Sequence, residues 1–177
     1  MYYNPSYYFC TMNPFIKPLF SFSTSRFFLV ISFAILLAGC TTLDIYEKNV
    51  TIPKQEWQYN FKPSFDFTIS DTTSLYNIYI VLRHTDAYRY NNIWLNVGSK
   101  FPNDTMRYQR LELALGSDAA GWEGTGMNDI WEVRKPITKG PVKLSKQGNY
   151  TFTLAQVMRE NPLPHIMNAG IRVEKVK

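Results

Sequence analysis

From Trp57 to the end of the chain, apolar side chains recur at every second position. That period places alternate residues on opposite faces of an extended strand. In Ser64–Ile69, Phe65, Phe67 and Ile69 share one face, and Ser64, Asp66 and Thr68 the other. Leu75–His84 follows, with Ile78, Ile80 and Leu82 set against Tyr79, Val81 and Arg83. Ile93, Leu95 and Val97 alternate with Trp94, Asn96 and Gly98, and Tyr150, Phe152 and Leu154 with Thr151 and Thr153. Asp71-Thr72-Thr73-Ser74, Pro102-Asn103-Asp104, Gly140-Pro141 and Gln147-Gly148-Asn149 carry turn chemistry between these runs. The Pro102 turn predicts a hairpin of Ile93–Phe101 with Thr105–Leu115, with Leu111, Leu113 and Leu115 facing in. Asp129–Val133 and Ile171–Val176 read as further strands, and Leu43–Val50 as a first one. Ala155–Glu160 is expected to make one or two helical turns before Pro162 and Pro164 stop it. Short strands at regular spacing, with at most one short helical segment near the C-terminus, predict an all-β fold: a single-domain antiparallel β-sandwich over residues 57–177.

The head of the chain has a different character. Phe27–Cys40, FFLVISFAILLAGC, is an apolar run too short to span a ~30 Å hydrocarbon core, which takes ~20 residues. It has the length of a signal-peptide core, with Lys17 and Arg26 as the positive flank. Leu37-Ala38-Gly39-Cys40 resembles the bacterial lipobox, in which small residues before Cys admit the backbone to a peptidase and the thiol carries the lipid. That resemblance implies cleavage between Gly39 and Cys40, diacylglycerol on Cys40, and acylation by palmitate-type chains. Residues 1–39 are then a lipoprotein signal peptide, and Met12 offers an alternative start with a leader of ordinary length. Residues 40–56 read as the lipidated terminus and tether.

What remains after cleavage is 138 of the 177 residues, enough to bury roughly two-thirds of the unfolded surface without a metal or disulfide. Cys10 leaves with the leader and Cys40 is lipidated, so the mature chain has no free thiol for redox or metal chemistry. It retains 17 Lys and Arg against 14 Asp and Glu, a net charge of +3, with the signs interspersed. No dense basic face points to nucleic acid. His84 and His165 stand alone, with no second ligand at metal spacing, and no metal site or cofactor is expected. No nucleophile elbow occurs. Asp104, Asp118, Glu123, Asp129 and Glu132 read as loop and turn carboxylates rather than a catalytic pair. Gly121, Gly124 and Gly126 have GxxGxG spacing without the strand–helix context of a phosphate loop. No catalytic residue, enzyme activity or small-molecule substrate is expected.

Four stretches in order carry a family resemblance: Asp71–Leu95 (DTTSLYNIYIVLRHTDAYRYNNIWL), Phe101–Leu115 (FPNDTMRYQRLELAL), Gly121–Glu132 (opening GWEGTG) and Gly148–Glu174 (GNYTFTLAQVMRENPLPHIMNAGIRVE). With the lipobox they resemble the gliding motility lipoprotein GldH family of Bacteroidetes-type bacteria. His84 departs from the family pattern, which has Asn in an Arg-Asn-Thr triplet. The resemblance implies a lipid-anchored envelope protein needed for gliding, a system coupled to type IX secretion, with other envelope proteins as partners. The absence of an acidic cluster after Cys40 favours a periplasm-facing protein, and the expected site of the anchor is the outer membrane.

Two surfaces compete for the function. Arg83, Tyr88, Arg89, Tyr90 and Asn92 cluster between two apolar strands. With Trp122 in the Gly121–Gly126 loop they form the expected protein-recognition surface, being rich in the types enriched at interface hot spots. Arg83 is open to a second reading, as a buried ion-pair anchor with Asp86. The alternative is a glycan-binding lipoprotein whose Trp57, Trp94, Trp122 and Trp131 would stack on sugar rings of peptidoglycan or exopolysaccharide.

Overall fold

The computed structural model describes residues 45–176, which belong to a unit running from Leu43 to Lys177. The leader, Cys10, Met12 and the lipidation position Cys40 lie outside the described residues. The strands in chain order are β1 Ile45–Thr51, β2 Glu56–Trp57, β3 Ser64–Ile69, β4 Leu75–Thr85, β5 Asn92–Lys100, β6 Arg107–Ala114 and β7 Gly116–Ser117. There follow β8 Gly121–Trp122, β9 Thr125–Met127, β10 Ile130–Pro136, β11 Val142–Lys143, β12 Gly148–Gln156, β13 Leu163–Pro164 and β14 Ile166–Lys175. A six-stranded antiparallel sheet runs β1-β14-β4-β10-β9, with β11 beside β4, and faces a four-stranded sheet ordered β3-β12-β5-β6. The all-β sandwich read from the alternation is the fold.

The inner faces are the predicted apolar sets. Phe65, Phe67 and Ile69 of β3, Ile78, Ile80 and Leu82 of β4, Ile93, Leu95 and Val97 of β5, and Tyr150, Phe152 and Leu154 of β12 are all buried. Phe67 stacks on Tyr150 and Phe152 across its own sheet and meets Tyr46 of β1 in the facing one at 5.2 Å between ring centres. The hairpin of β5 and β6 is in register from Asn92–Ala114 to Ser99–Arg107, closed by the turn in which Asp104 N–H donates to Phe101 O. Asp71 ties the β3–β4 turn by accepting from the Thr73 and Ser74 amides and hydroxyls. The ion pair with Lys175, joined by those bonds, holds its carboxyl well below the usual range.

Two expectations are corrected. Residues 155–160 are not helical: β12 continues to Gln156 and the chain then bends. The buried Gln156 amide replaces the helix's own bonds, donating to Trp57 O and Glu160 O and accepting from Met158 N–H. Among the described residues the one helical piece is a 3₁₀ turn at Pro53–Gln55. The first strand is Ile45–Thr51, fully paired with β14, so residues 45–56 belong to the domain rather than to a tether. No helix among the described residues is long and apolar enough to cross a membrane.

Strand directions give the sandwich two ends. β1 begins, β14 ends and β4 begins at one, called here the entry end, where loops 70–74, 101–106 and 137–147 also lie. Segments 52–63, 86–91, 115–129 and 157–165 gather at the far end, roughly 35 Å away along the 11 residues of β4.

Candidate functional site

The far end holds the residues singled out in the sequence, though not all on its surface. Segment 86–91 is pinned by Asp86 N–H donating to Asp129 O and by Leu115 and Gly116 N–H donating to Asn91 O. Tyr88 points inward and is 3% exposed, with its hydroxyl donating to Asn92 O at 3.0 Å. Burial pushes that hydroxyl's pKa well above its usual value. Tyr88 is thus corrected from surface contact to core residue, because a Tyr whose hydroxyl finds a backbone carbonyl loses little by burial. Trp122 is half-buried and meets the buried His84 ring edge-on at 4.5 Å. Arg89 and Tyr90 both donate to Glu160, at 2.9 and 3.1 Å, and the Tyr90 hydroxyl is raised by that bond. Asn92 donates to Glu112. Of the predicted set, Arg83 and Arg89 are the well-exposed members.

Arg83 leads to a second feature. Its partner is Glu132 on β10, at 2.7 Å, not Asp86. Cross-strand register explains the pair, since Glu132 lies directly opposite Arg83. Glu132's other oxygen accepts from Arg134 at 2.8 Å, so one carboxylate serves two half-exposed guanidiniums. Beside them Ile130 and Met127 pair across the β9–β10 hairpin, and Met127 is 75% exposed. Together with Gly124 and Thr125 these side chains line an open groove of about 550 Å³ on the outer face of the large sheet. Half-exposed ion pairs add ~1 kcal/mol or less to stability, so their effect here is to fix the guanidiniums in place. Each arginine keeps further N–H donors for a ligand.

The network continues across the sheet. Arg134 lies 3.9 Å from Glu47 of β1, and Glu47 also binds Arg172 of β14 at 2.5 Å. The Arg134–Glu47 contact reaches over β4 and β14, where Val81, 1% exposed, and Gly170 lie beneath. Burial alone would raise the Glu47 pKa, but hydrogen bonds from Arg172 and Asn49 and the two arginine charges outweigh it and the carboxyl is lowered.

Met127, Ile130, Glu132 and Arg134 were not in the predicted site. The signal was present as Asn128-Asp129, a two-residue turn between apolar neighbours, with Asn128 at φ 54°. The four tryptophans do not share an exposed face. Trp57 is fully buried, Trp122 packs on His84, Trp131 faces inward beside Gly126, and the Arg110 guanidinium covers Trp94 at 4.8 Å. No cluster of three His, Cys, Asp or Glu that could hold a metal occurs among the described residues.

Comparison with known proteins places the chain. The family described as GldH lipoprotein matches residues 44–173. A gliding motility lipoprotein GldH homolog of Christiangramia forsetii is 30% identical over 155 residues, covering 84% of this chain and 94% of the relative. Gliding motility lipoprotein GldH of Flavobacterium johnsoniae is 28% identical over 149 residues, covering 80% and 91%. Among solved structures, the VP2 subviral particle of infectious bursal disease virus aligns with a TM-score of 0.34 at 12% identity over 77% of this chain and 34% of that one, too loosely to carry an argument. On the match over the whole sandwich, the chain belongs to the GldH lipoprotein family, the gliding-motility lipoproteins of the cell envelope.

Proposed function

We propose that the protein is anchored through lipid on Cys40 at the outer membrane, facing the periplasm, and acts without catalysis. It recognises another envelope protein of the gliding and type IX secretion apparatus through the β9–β10 groove. The observation that supports this reading is an exposed apolar pair, Met127 and Ile130, beside two guanidiniums held by one carboxylate. Arginine and well-placed apolar side chains supply most of the energy at protein interfaces, and the surplus positive charge suits a partner segment carrying an acidic and an apolar residue.

The test uses Met127→Asp with Arg83→Gln in the lipidated protein. Both side chains are exposed, so folding and abundance are retained. Tyr88 is unsuited to the purpose, since truncating a buried ring costs roughly 3 kcal/mol of packing. Spreading motility and co-purification of envelope partners should both be lost. Wild-type motility and capture by a folded double variant would overturn the groove as the site. Cys40→Ser tests the anchor separately, and fatty-acid labelling of that variant at the normal level would overturn it.

A further inference from the structure

The entry end carries a charge pattern that the groove does not use. Segments 70–74, 100–107, 137–147 and 174–176 hold six basic and three acidic residues, whereas the far-end segments 52–63, 86–91, 115–129 and 157–165 hold four basic and six acidic. The acids of the entry end are already engaged: Asp71 with Lys175 at 2.7 Å, Asp104 with Arg107 at 3.2 Å, and Glu174 with Arg172. Lys100, Lys139, Lys143 and Lys146 are exposed and form no ion pair among the described residues. Leu75, 45% exposed, and Phe101, 39% exposed, stand at the same end as large apolar side chains open to solvent.

The chain enters the domain here. Ile45 begins β1 at this end, five positions after Cys40, a reach of at most ~18 Å. A lipid on Cys40 therefore keeps this end within about two Debye lengths of the membrane. At that range unpaired lysines are drawn to anionic headgroups, and exposed Leu and Phe side chains can enter the interfacial layer.

We propose that the entry end rests on the anionic phospholipid headgroups of the leaflet that holds the anchor. Lys100, Lys139, Lys143 and Lys146 meet the phosphates, and Leu75 and Phe101 meet the interface. The domain then stands with its far end outward. The net negative charge of that end opposes the reverse orientation, and Met127 and Ile130, at the far end of the groove, stay clear of the membrane. This inference rests on the reading of Cys40 as the lipidated residue.

The test reconstitutes the full lipidated protein into phosphatidylcholine vesicles and into vesicles with about 30% phosphatidylglycerol. Amine-reactive labelling is then followed at each lysine by mass spectrometry. Labelling of Lys100, Lys139, Lys143 and Lys146 should slow at least about threefold in the anionic vesicles. Lys54 and Lys62 at the far end should be unchanged, and salt near 0.5 M should erase the difference. Equal rates in the two vesicles, or slowing at Lys54 and Lys62 instead, would overturn the proposal. Flotation with the neutral vesicles reports the anchor by itself. Protein that floats without lysine protection refutes the docked end alone, and protein that never floats refutes the Cys40 reading and this inference with it. Protection by purified peptidoglycan but not by anionic vesicles would assign the end to the wall polymer and overturn the lipid assignment.

Discussion

At the scale of single residues, His84 is the most informative position. Its ring is fully buried between Trp122 and Tyr88, with Nδ1 donating to the Thr85 carbonyl at 2.9 Å, since a carbonyl can only accept. That tautomer leaves Nε2 as a bare acceptor with no hydrogen-bond partner among the described residues. Burial lowers the pKa from its ordinary 6.5, against a smaller opposing effect of the Thr85 bond. The unfolded chain therefore takes up a proton at His84 before the folded chain does. Stability is fully present above pH 6.5 and falls as the pH drops below it toward the lowered folded value. Glu47 adds a loss of the same sign, but only below its ordinary 4.5. We expect the urea midpoint to fall between about pH 7.5 and pH 5.5 in the wild type and to stay level in His84→Asn. An identical slope in the variant would remove His84 as the cause.

Elements show how small residues set the groove. Gly124 sits at φ +91°, and a Cβ there would come 2.1 Å from Glu132 O. Only glycine lets the bend before β9 lie this close to β10 in that conformation. Gly124→Ala must lift the β9 hairpin off the backbone that carries Glu132. The expected cost is about 2 kcal/mol or more, read as a lower urea midpoint. The Arg83–Glu132 pair should loosen with it, so partner capture should fall as well. A variant as stable as the wild type would mean that the hairpin shifts freely. The same close approach explains Gly126, whose missing Cβ leaves room for the Trp131 ring.

On the scale of the whole molecule, the described domain is held by its two apolar inner faces, and no disulfide or metal enters that account. Chelator and reductant should leave the thermal midpoint of the purified protein unchanged within error. A large drop with chelator would point to an oxygen-ligand site among the loop acids Asp104, Asp118 and Asp129. The polar outer face of the large sheet is tied by ion pairs worth little individually. On the proposed reading, its organisation therefore bears on recognition more than on stability.

Strand identity, facing and the β5–β6 hairpin were legible in the chain, because a two-residue period admits one answer once one face must be buried. Asp71 and Asn103-Asp104 announced their turns by local chemistry alone. Residues 155–160 were misread because a buried amide from Gln156 outweighed local helical tendency, and no pattern in sequence shows a side chain folding back on its own loop. The candidate site divides along the same line. Exposure of Tyr88 and the partner of Arg83 depend on what packs above them, and Glu132 is 49 residues away in sequence. The sequence alone determined which residues could form strands and which end could carry lipid. Tertiary structure alone decided which tyrosine was core, which carboxylate held two arginines, and that Lys100, Lys139, Lys143 and Lys146 of the entry end stay exposed outside the ion pairs of the described residues. Period and turn chemistry act over a few residues, whereas burial and charge pairing follow from contacts between strands far apart in the chain.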